Sequence, residues 1–284
     1  MKGINYLFKG IPRAKMLHFC CLLLAVTPSR AAINHLSSAV PLIQNFAKEE
    51  LGTEETVYSV LEGPDGILYA AADRLLIYDG SRWTQAAVEN TPAIKSLAYR
   101  DGKIWIGGIN EVGFFTKSVG GKYKYTSATH RIKSTDLGII WYIFAVNDGV
   151  AVITNKKVIY LPDQGEPSEW QLPDDKRLKA QQLKDGVLVL QHGPEINKLW
   201  LLKDGRLQPA KLPYAAAEKA AFSFMDEQEG TQYYNAGPDL IARDSATGAE
   251  HILYSDNGYL HKGNITSGLR FGRYTYVATY YGGL

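Results

Sequence analysis

Cysteine is nearly missing from this chain. Its two copies, Cys20 and Cys21, stand side by side near the N-terminus, and none follows them. The chain beyond residue 32 therefore forms no disulfide, holds no thiolate-bound metal and offers no cysteine nucleophile. Long apolar runs are missing too. Leu17 to Val26 is a run of about ten residues, against the roughly 20 that a bilayer-spanning helix requires. An excess of one charge sign is also absent. The 31 basic and 29 acidic residues leave a net charge of +2, with no Lys/Arg stripe, so no nucleic-acid partner is expected. No Gly-x-Ser-x-Gly elbow and no phosphate-binding loop occur. His35, His130, His192, His251 and His261 include no His-x-His or His-x-x-x-His pair. No metal site and no cofactor are expected from them.

What is present divides the chain in three. Residues 1–32 read as a secretory signal peptide. Lys2, Lys9, Arg13 and Lys15 make its basic start, Leu17 to Val26 its apolar centre, and Ser29 and Ala31 the small residues before cleavage. Residues 33–56 are a lead-in, in which Leu42, Ile43 and Phe46 read as an extended, ring-closing strand; the alternative is a surface arm. Residues 57–284 are built from one repeated unit.

That unit is plainest in VYSVLEGPDGILYAAADRLLIYDGSRW, residues 57–83. Runs of four or five residues rich in Val, Ile, Leu and Tyr alternate with Pro64-Asp65-Gly66, Asp73-Arg74 and Asp79-Gly80. Such runs read as strands joined by tight hairpins. Gly66, Gly102, Gly149, Gly186, Gly230 and Gly272 mark the same turn in six successive units, 36, 47, 37, 44 and 42 residues apart. Four strands per repeat at this period predict an all-β, four-stranded-blade β-propeller. An open β-solenoid or a pair of sandwiches is the alternative. The run Ile265 to Leu284 holds two strands of a unit, which gives about five and a half blades and suggests a fragment of a larger ring.

Pro41 to Trp83, PLIQNFAKEELGTEETVYSVLEGPDGILYAAADRLLIYDGSRW, resembles the start of two-component regulator propellers, the periplasmic sensor regions of hybrid histidine kinases and related bacterial regulators. The pattern returns at Ile104-Trp105-Ile106-Gly107-Gly108 and at Val277 to Leu284; Asp73-Arg74 stands where the family often has Asn-Gly or Asp-Gly. The resemblance implies a seven-bladed propeller in the intact protein, with this chain as its N-terminal fragment. It also implies an exported, periplasmic sensor without catalytic activity. Any histidine kinase would lie in a C-terminal region, beyond a β-sandwich and a membrane helix. The partners implied are an extracellular ligand and the downstream domains of the same receptor.

Loops between second and third strands gather on one face of a propeller, and loops on a rigid scaffold are where binding sites sit. Arg74, Asn110, Glu111, Lys156, His192, Glu195, Asn197 and Asp239 occupy those loops and are the candidate ligand contacts. Asp73, Asn155, Lys157 and Asn235 are their neighbours. Such residues suit a hydroxyl-rich ligand, an oligosaccharide above all. Glu195 and Asp239 are also the candidate carboxylate pair for the alternative of a secreted polysaccharide hydrolase or lyase; a protein-interaction scaffold is the third reading. Ser134 to Trp141 resembles an Asp-box, a structural motif. Gly107-Gly108 and Gly282-Gly283 read as close-packed strand ends. Trp83, Trp105, Trp141, Trp170 and Trp200 are expected to pack between blades.

Overall fold

The computed structural model describes residues 45–172, 178–191, 198–210, 225–255, 258, 260 and 265–279. The chain divides into two compact units, Met1–Asn45 and Phe46–Leu284; the fold below is that of the second. The signal-peptide segment, Leu42 and Ile43, and His192, Glu195 and Asn197 lie outside the described residues.

Alternating apolar runs and turn residues produce a row of antiparallel meanders. Blade 1 comprises β1 (Ser59–Glu62), β2 (Leu68–Ala71), β3 (Leu75–Tyr78) and β4 (Trp83–Ala86). Blade 2 holds β5 (Ile94–Arg100), β6 (Lys103–Gly108), β7 (Val112–Lys117) and β8 (Tyr123–Ser127). Blade 3 holds β9 (Ile140–Val146), β10 (Gly149–Thr154), β11 (Lys157–Pro162) and β12 (Ser168–Gln171). Blade 4 holds β13 (Leu178–Leu183), β14 (Gly186–Gln191), β15 (Lys198–Lys203) and β16 (Arg206–Ala210). Blade 5 holds β17 (Met225–Gln228), β18 (Thr231–Ala236), β19 (Asp239–Asp244) and β20 (Glu250–Tyr254). Two strands of a sixth sheet follow, β21 (Ile265–Phe271) and β22 (Tyr274–Thr279). Strands pair in chain order within every sheet. The result is a β-propeller, with about five and a half blades among the described residues.

Packing between blades follows from the two-residue period of a strand, which sends successive side chains to opposite faces. Every residue of β10 is buried. Val150 and Val152 pack with Ala98, Trp105 and Val112 of blade 2. Ala151 and Ile153, facing the other way, pack with Leu178, Val187 and Val189 of blade 4. The same alternation joins Leu188 and Leu190 to Tyr234 and Ile241 of blade 5. Tyr69, Ala71, Leu75 and Ile77 of blade 1 meet Ile94, Leu97, Ile104, Ile106 and Phe115 of blade 2.

The remaining face of blade 1 is covered by the lead-in. A one-turn helix, α1 (Lys48–Leu51), ends at Gly52, whose φ of 65° is the left-handed geometry of a helix C-terminus. Leu51 and Val57 lie on Ala70, Ala72 and Leu76. Phe46 enters no strand; its ring stands edge-on to Tyr78 and Trp83, with centroids 5.0 and 5.3 Å away. Gln85 Nε2 donates to the carbonyls of Leu51 and Gly52 at 2.9 and 3.0 Å, fastening α1 to β4.

The repeat-marking glycines do not all serve the same purpose. Asp101 and Gly102 both have positive φ, 50° and 74°, as a tight two-residue hairpin requires. Gly149 instead begins β10 opposite Val146, and a Cβ there would overlap the carbonyl oxygen of Leu161 on β11. Close backbone approach, not turn geometry, demands glycine at this position. Gly149→Ala is expected to lower unfolding stability in urea by about 1–3 kcal/mol through overpacking; an unchanged midpoint would contradict the β10–β11 register.

Candidate functional site

An antiparallel meander places its first-to-second and third-to-fourth turns on one face of the propeller. The second-to-third loops and the blade-to-blade crossovers share the other face. The candidate residues that fall among the described ones occupy this crossover face, and the structure shows what their side chains touch.

In blade 2, Asn110 has a φ of 54° and grips the next crossover twice. Its amide donates to the Gly138 carbonyl at 2.8 Å, and its Oδ1 accepts from the Gly138 amide at 2.7 Å. In blade 3, Asn155 does the same one residue on. Its amide donates to the Ile139 carbonyl at 3.0 Å, and its Oδ1 accepts from the Ile139 amide at 3.0 Å. In blade 1, Asp73 accepts from Thr53 Oγ1 at 2.9 Å, linking the loop to the lead-in. The second-to-third loops of blades 2 and 3 thus hold the backbone of the crossover that follows blade 2. Ser134 to Trp141, the Asp-box-like stretch, is the crossover held between Asn110 and Asn155.

The charged candidates among the described residues are engaged by neighbouring side chains. Arg74 binds Asp73 at 2.8 and 2.5 Å and donates to Gln85 Oε1 at 3.0 Å. The Arg74 guanidinium holds the Asp73 carboxyl below its ordinary range. Lys156 Nζ donates to Asp136 at 2.6 Å and likewise lowers that carboxyl. Asp239 accepts from Ser255 Oγ at 2.5 Å. Asn235 is buried, and its Nδ2 donates to the Gly237 carbonyl at 3.1 Å. Glu111 is 4% exposed, with Tyr125 Oη donating to one oxygen at 2.6 Å and Thr129 Oγ1 to the other at 2.9 Å. Burial and that hydrogen bond push the Tyr125 hydroxyl pKa well above its ordinary range.

Lys157, Ser134 and Glu169 form a further cluster. Lys157 Nζ donates to Ser134 Oγ at 2.5 Å, and Ser134 Oγ donates to the Glu169 carboxylate. The other carboxylate oxygen accepts from the Lys133 and Ser134 amides at 2.8 and 3.3 Å. Burial raises the Glu169 carboxyl, but these hydrogen bonds outweigh it and the net shift is downward. Ser134 Oγ is held as a hydrogen-bond donor to the ionised carboxylate, so the cluster clamps the crossover to β12.

A cleft of about 240 Å³ opens on the opposite, turn face, between blades 3 and 4. Asn147, Asp148, Gln182, Asp185, Lys203 and Asp204 line it. Arg100 closes one end, reaching from blade 2 to Asp163 at 2.7 and 2.5 Å and to the Asn147 carbonyl at 3.1 Å. Nothing in the spacing of the sequence marks this contact, because Arg100 and Asp163 are 63 residues apart.

The tryptophans differ from expectation in two cases, Trp141 and Trp83, the latter packing against the lead-in and not a neighbouring blade. Trp105 is buried between blades 2 and 3, as a core residue should be. Trp141 is 41% exposed at the start of β9. The glycine pair at 107 and 108 matches its reading: a Cβ on Gly107 would crowd Ile140 and Ser96, and one on Gly108 would crowd Thr91 and Ala93.

Two predictions follow from these pairings. Glu111→Ala is expected to cost about 1–3 kcal/mol by removing the buried carboxylate that accepts from the half-buried Tyr125 hydroxyl and is one of two acceptors of Thr129 Oγ1. Equal stability in urea would mean the carboxylate has no such role. For Glu169, a folded pKa below the unfolded value of roughly 4.3 means its contribution is fully present above that pH. It is lost as pH falls through the lower folded value. Glu169→Gln is expected to lessen the fall in Tm on acidification below about pH 4; an identical fall would contradict the clamp.

No protein-family model matches the chain, and no curated protein matches it. Solved structures do match in fold. The extracellular domain of BT4673 from B. thetaiotaomicron, described as a one-component system, superposes with a TM-score of 0.54 at 13% identity, over 73% of this chain and 29% of that one. A second structure of a BT4673 extracellular domain, described as a hybrid two-component system, gives 0.49 at 14% identity, over 80% and 37%. The Pan2 WD40 domain of Neurospora crassa gives 0.53 at 13% identity, over 75% and 68%. The chain spans under a third of the first of these ectodomains. No helix among the described residues is long and apolar enough to cross a membrane. The chain is similar in fold to a bacterial sensor ectodomain and to WD40 propellers: it is a β-propeller.

Proposed function

We propose that this chain is the ligand-sensing propeller of an exported two-component-type regulator, acting in the periplasm without catalysis of its own. The observation that carries the reading is the lead-in and first blade, residues 41–83, whose pattern resembles that of regulator propellers. The superposition on an extracellular sensor domain supports it at the level of fold. In this reading the ring is completed to seven blades, and ligand binding is passed to downstream domains of the same receptor. The ligand is an extracellular carbohydrate, because exposed hydrogen-bonding loops on a rigid scaffold suit a hydroxyl-rich molecule.

The parent reading frame is expected to continue beyond Leu284 into further blades, a membrane span and a signalling module. A glycan panel titrated calorimetrically against the whole ectodomain is expected to give saturable binding without release of new reducing ends. Turnover of a polysaccharide would overturn the non-catalytic assignment. A stop codon after Leu284 would overturn the receptor assignment.

A further inference from the structure

Three of the innermost strands break register at the same place. In β5 and β6, Ile94 pairs with Gly108 and Ser96 with Gly107, leaving Lys95 extra. In β9 and β10, Ile140 pairs with Thr154 and Tyr142 with Ile153, leaving Trp141 extra. In β21 and β22, Ile265 pairs with Thr279 and Ser267 with Ala278, leaving Thr266 extra. Blade 1 shows a related feature: the Tyr58 amide donates to the Ala71 carbonyl at 2.8 Å, although Ala71 is the ladder partner of Ser59. Blade 4 keeps a regular ladder at Lys179. A bulge inserts one residue, bends its strand and re-aims a side chain, and bulges concentrate beside functional sites.

Each bulge follows a buried aliphatic residue, Ile94, Ile140 or Ile265, where a crossover enters the innermost strand. The aliphatic residue anchors the strand and the next residue is released from the ladder. Tyr58, Lys95 and Trp141 belong to successive blades; the first two touch, and the third is tied to them through the chain neighbours Ser96 and Ile140. Lys95 Nζ lies 3.3 Å from the centroid of the Tyr58 ring. Ser96 Oγ donates to the Ile140 carbonyl at 3.1 Å, which fixes the peptide leading into Trp141 beside the one leaving Lys95. Tyr58 and Trp141 are 40% and 41% exposed. Lys95 makes no ion pair with any described residue; its ammonium rests on an aromatic face, an attraction that leaves its net charge intact.

We propose that Tyr58, Lys95 and Trp141 form a binding platform for an anionic pyranose, a sugar ring carrying a carboxylate. Trp141, more exposed than a core tryptophan, is the aromatic ring against which the C–H face of a pyranose would stack. Lys95 supplies a charge-assisted hydrogen bond to the carboxylate. Asn110 and Asn155 are positioning residues, holding Gly138 and Ile139 so that Trp141 enters β9 at a fixed angle. The ring chemistry rests on the sensing function proposed above; the bulges and the Lys95–Tyr58 contact do not.

The test is calorimetric titration of the full ectodomain with tetragalacturonate and with its carboxyl-reduced, neutral counterpart. Lys95→Gln is expected to weaken acidic binding about tenfold, the loss of one charge-assisted hydrogen bond, and to leave neutral binding unchanged. Trp141→Ala is expected to weaken both. Lys203→Gln, on the opposite face, should alter neither, and matching Tm values would show that all three variants fold. Acidic binding unaffected by Lys95→Gln and Trp141→Ala would overturn the platform while leaving a glycan sensor intact. Binding lost equally for both ligands in Lys95→Gln would overturn the carboxylate assignment. If the unaltered protein bound neither these sugars nor any glycan in the panel, the carbohydrate reading would fall and the platform with it.

Discussion

A four-stranded sheet with two apolar faces needs two neighbours, and that need organises this molecule. β10 shows the constraint most clearly. Val150, Ala151, Val152 and Ile153 are all buried, alternately against blade 2 and blade 4. A buried Val or Ile side chain contributes about 1.5–3 kcal/mol, whereas an exposed ion pair contributes roughly 0–1 kcal/mol. The apolar faces therefore decide the stacking. The pairs along the rims, such as Lys156–Asp136 or Lys203–Asp185, refine it. Blade 1 meets the same constraint differently, with Leu51 of the lead-in and Val57 just after it covering Ala70, Ala72 and Leu76.

Once the faces are matched, the polar groups have narrower tasks. Backbone groups in crossovers lie outside the ladders and need partners. Asn110, Asn155 and Glu169 supply them, while Asp73 holds the Thr53 hydroxyl. This explains why second-to-third loops are polar in blade after blade without each residue facing a ligand. It also fixes the point where each crossover becomes an innermost strand, and there the bulges expose Lys95 and Trp141.

The architecture was legible because its signals are local. Turn residues recur at nearly even intervals, and strand alternation is visible over four to seven residues. The details that matter for binding were not. A bulge alters the alternation by a single residue, so nothing in the pattern sets Lys95 or Thr266 apart. Trp141 read as core because a large aromatic ring usually supplies buried area; its release depends on Thr154 pairing with Ile140 across the ladder. Glu111 read as a loop carboxylate because its partners, Tyr125 and Thr129, stand 14 and 18 residues further along. The turn-face cleft depends on Arg100 crossing to another blade, a contact with no sequence signature.

Amide hydrogen exchange on the whole chain tests the central claim, that blades 1 to 5 are held by burial of both their faces. Slowest exchange is predicted in Val150–Ile153 and Val187–Leu190, the second strands enclosed by neighbours on both sides, and fastest in the exposed outer strand Glu250–Tyr254. Equal protection across inner and outer strands, or rapid exchange throughout Val150–Ile153, would contradict the radial stacking.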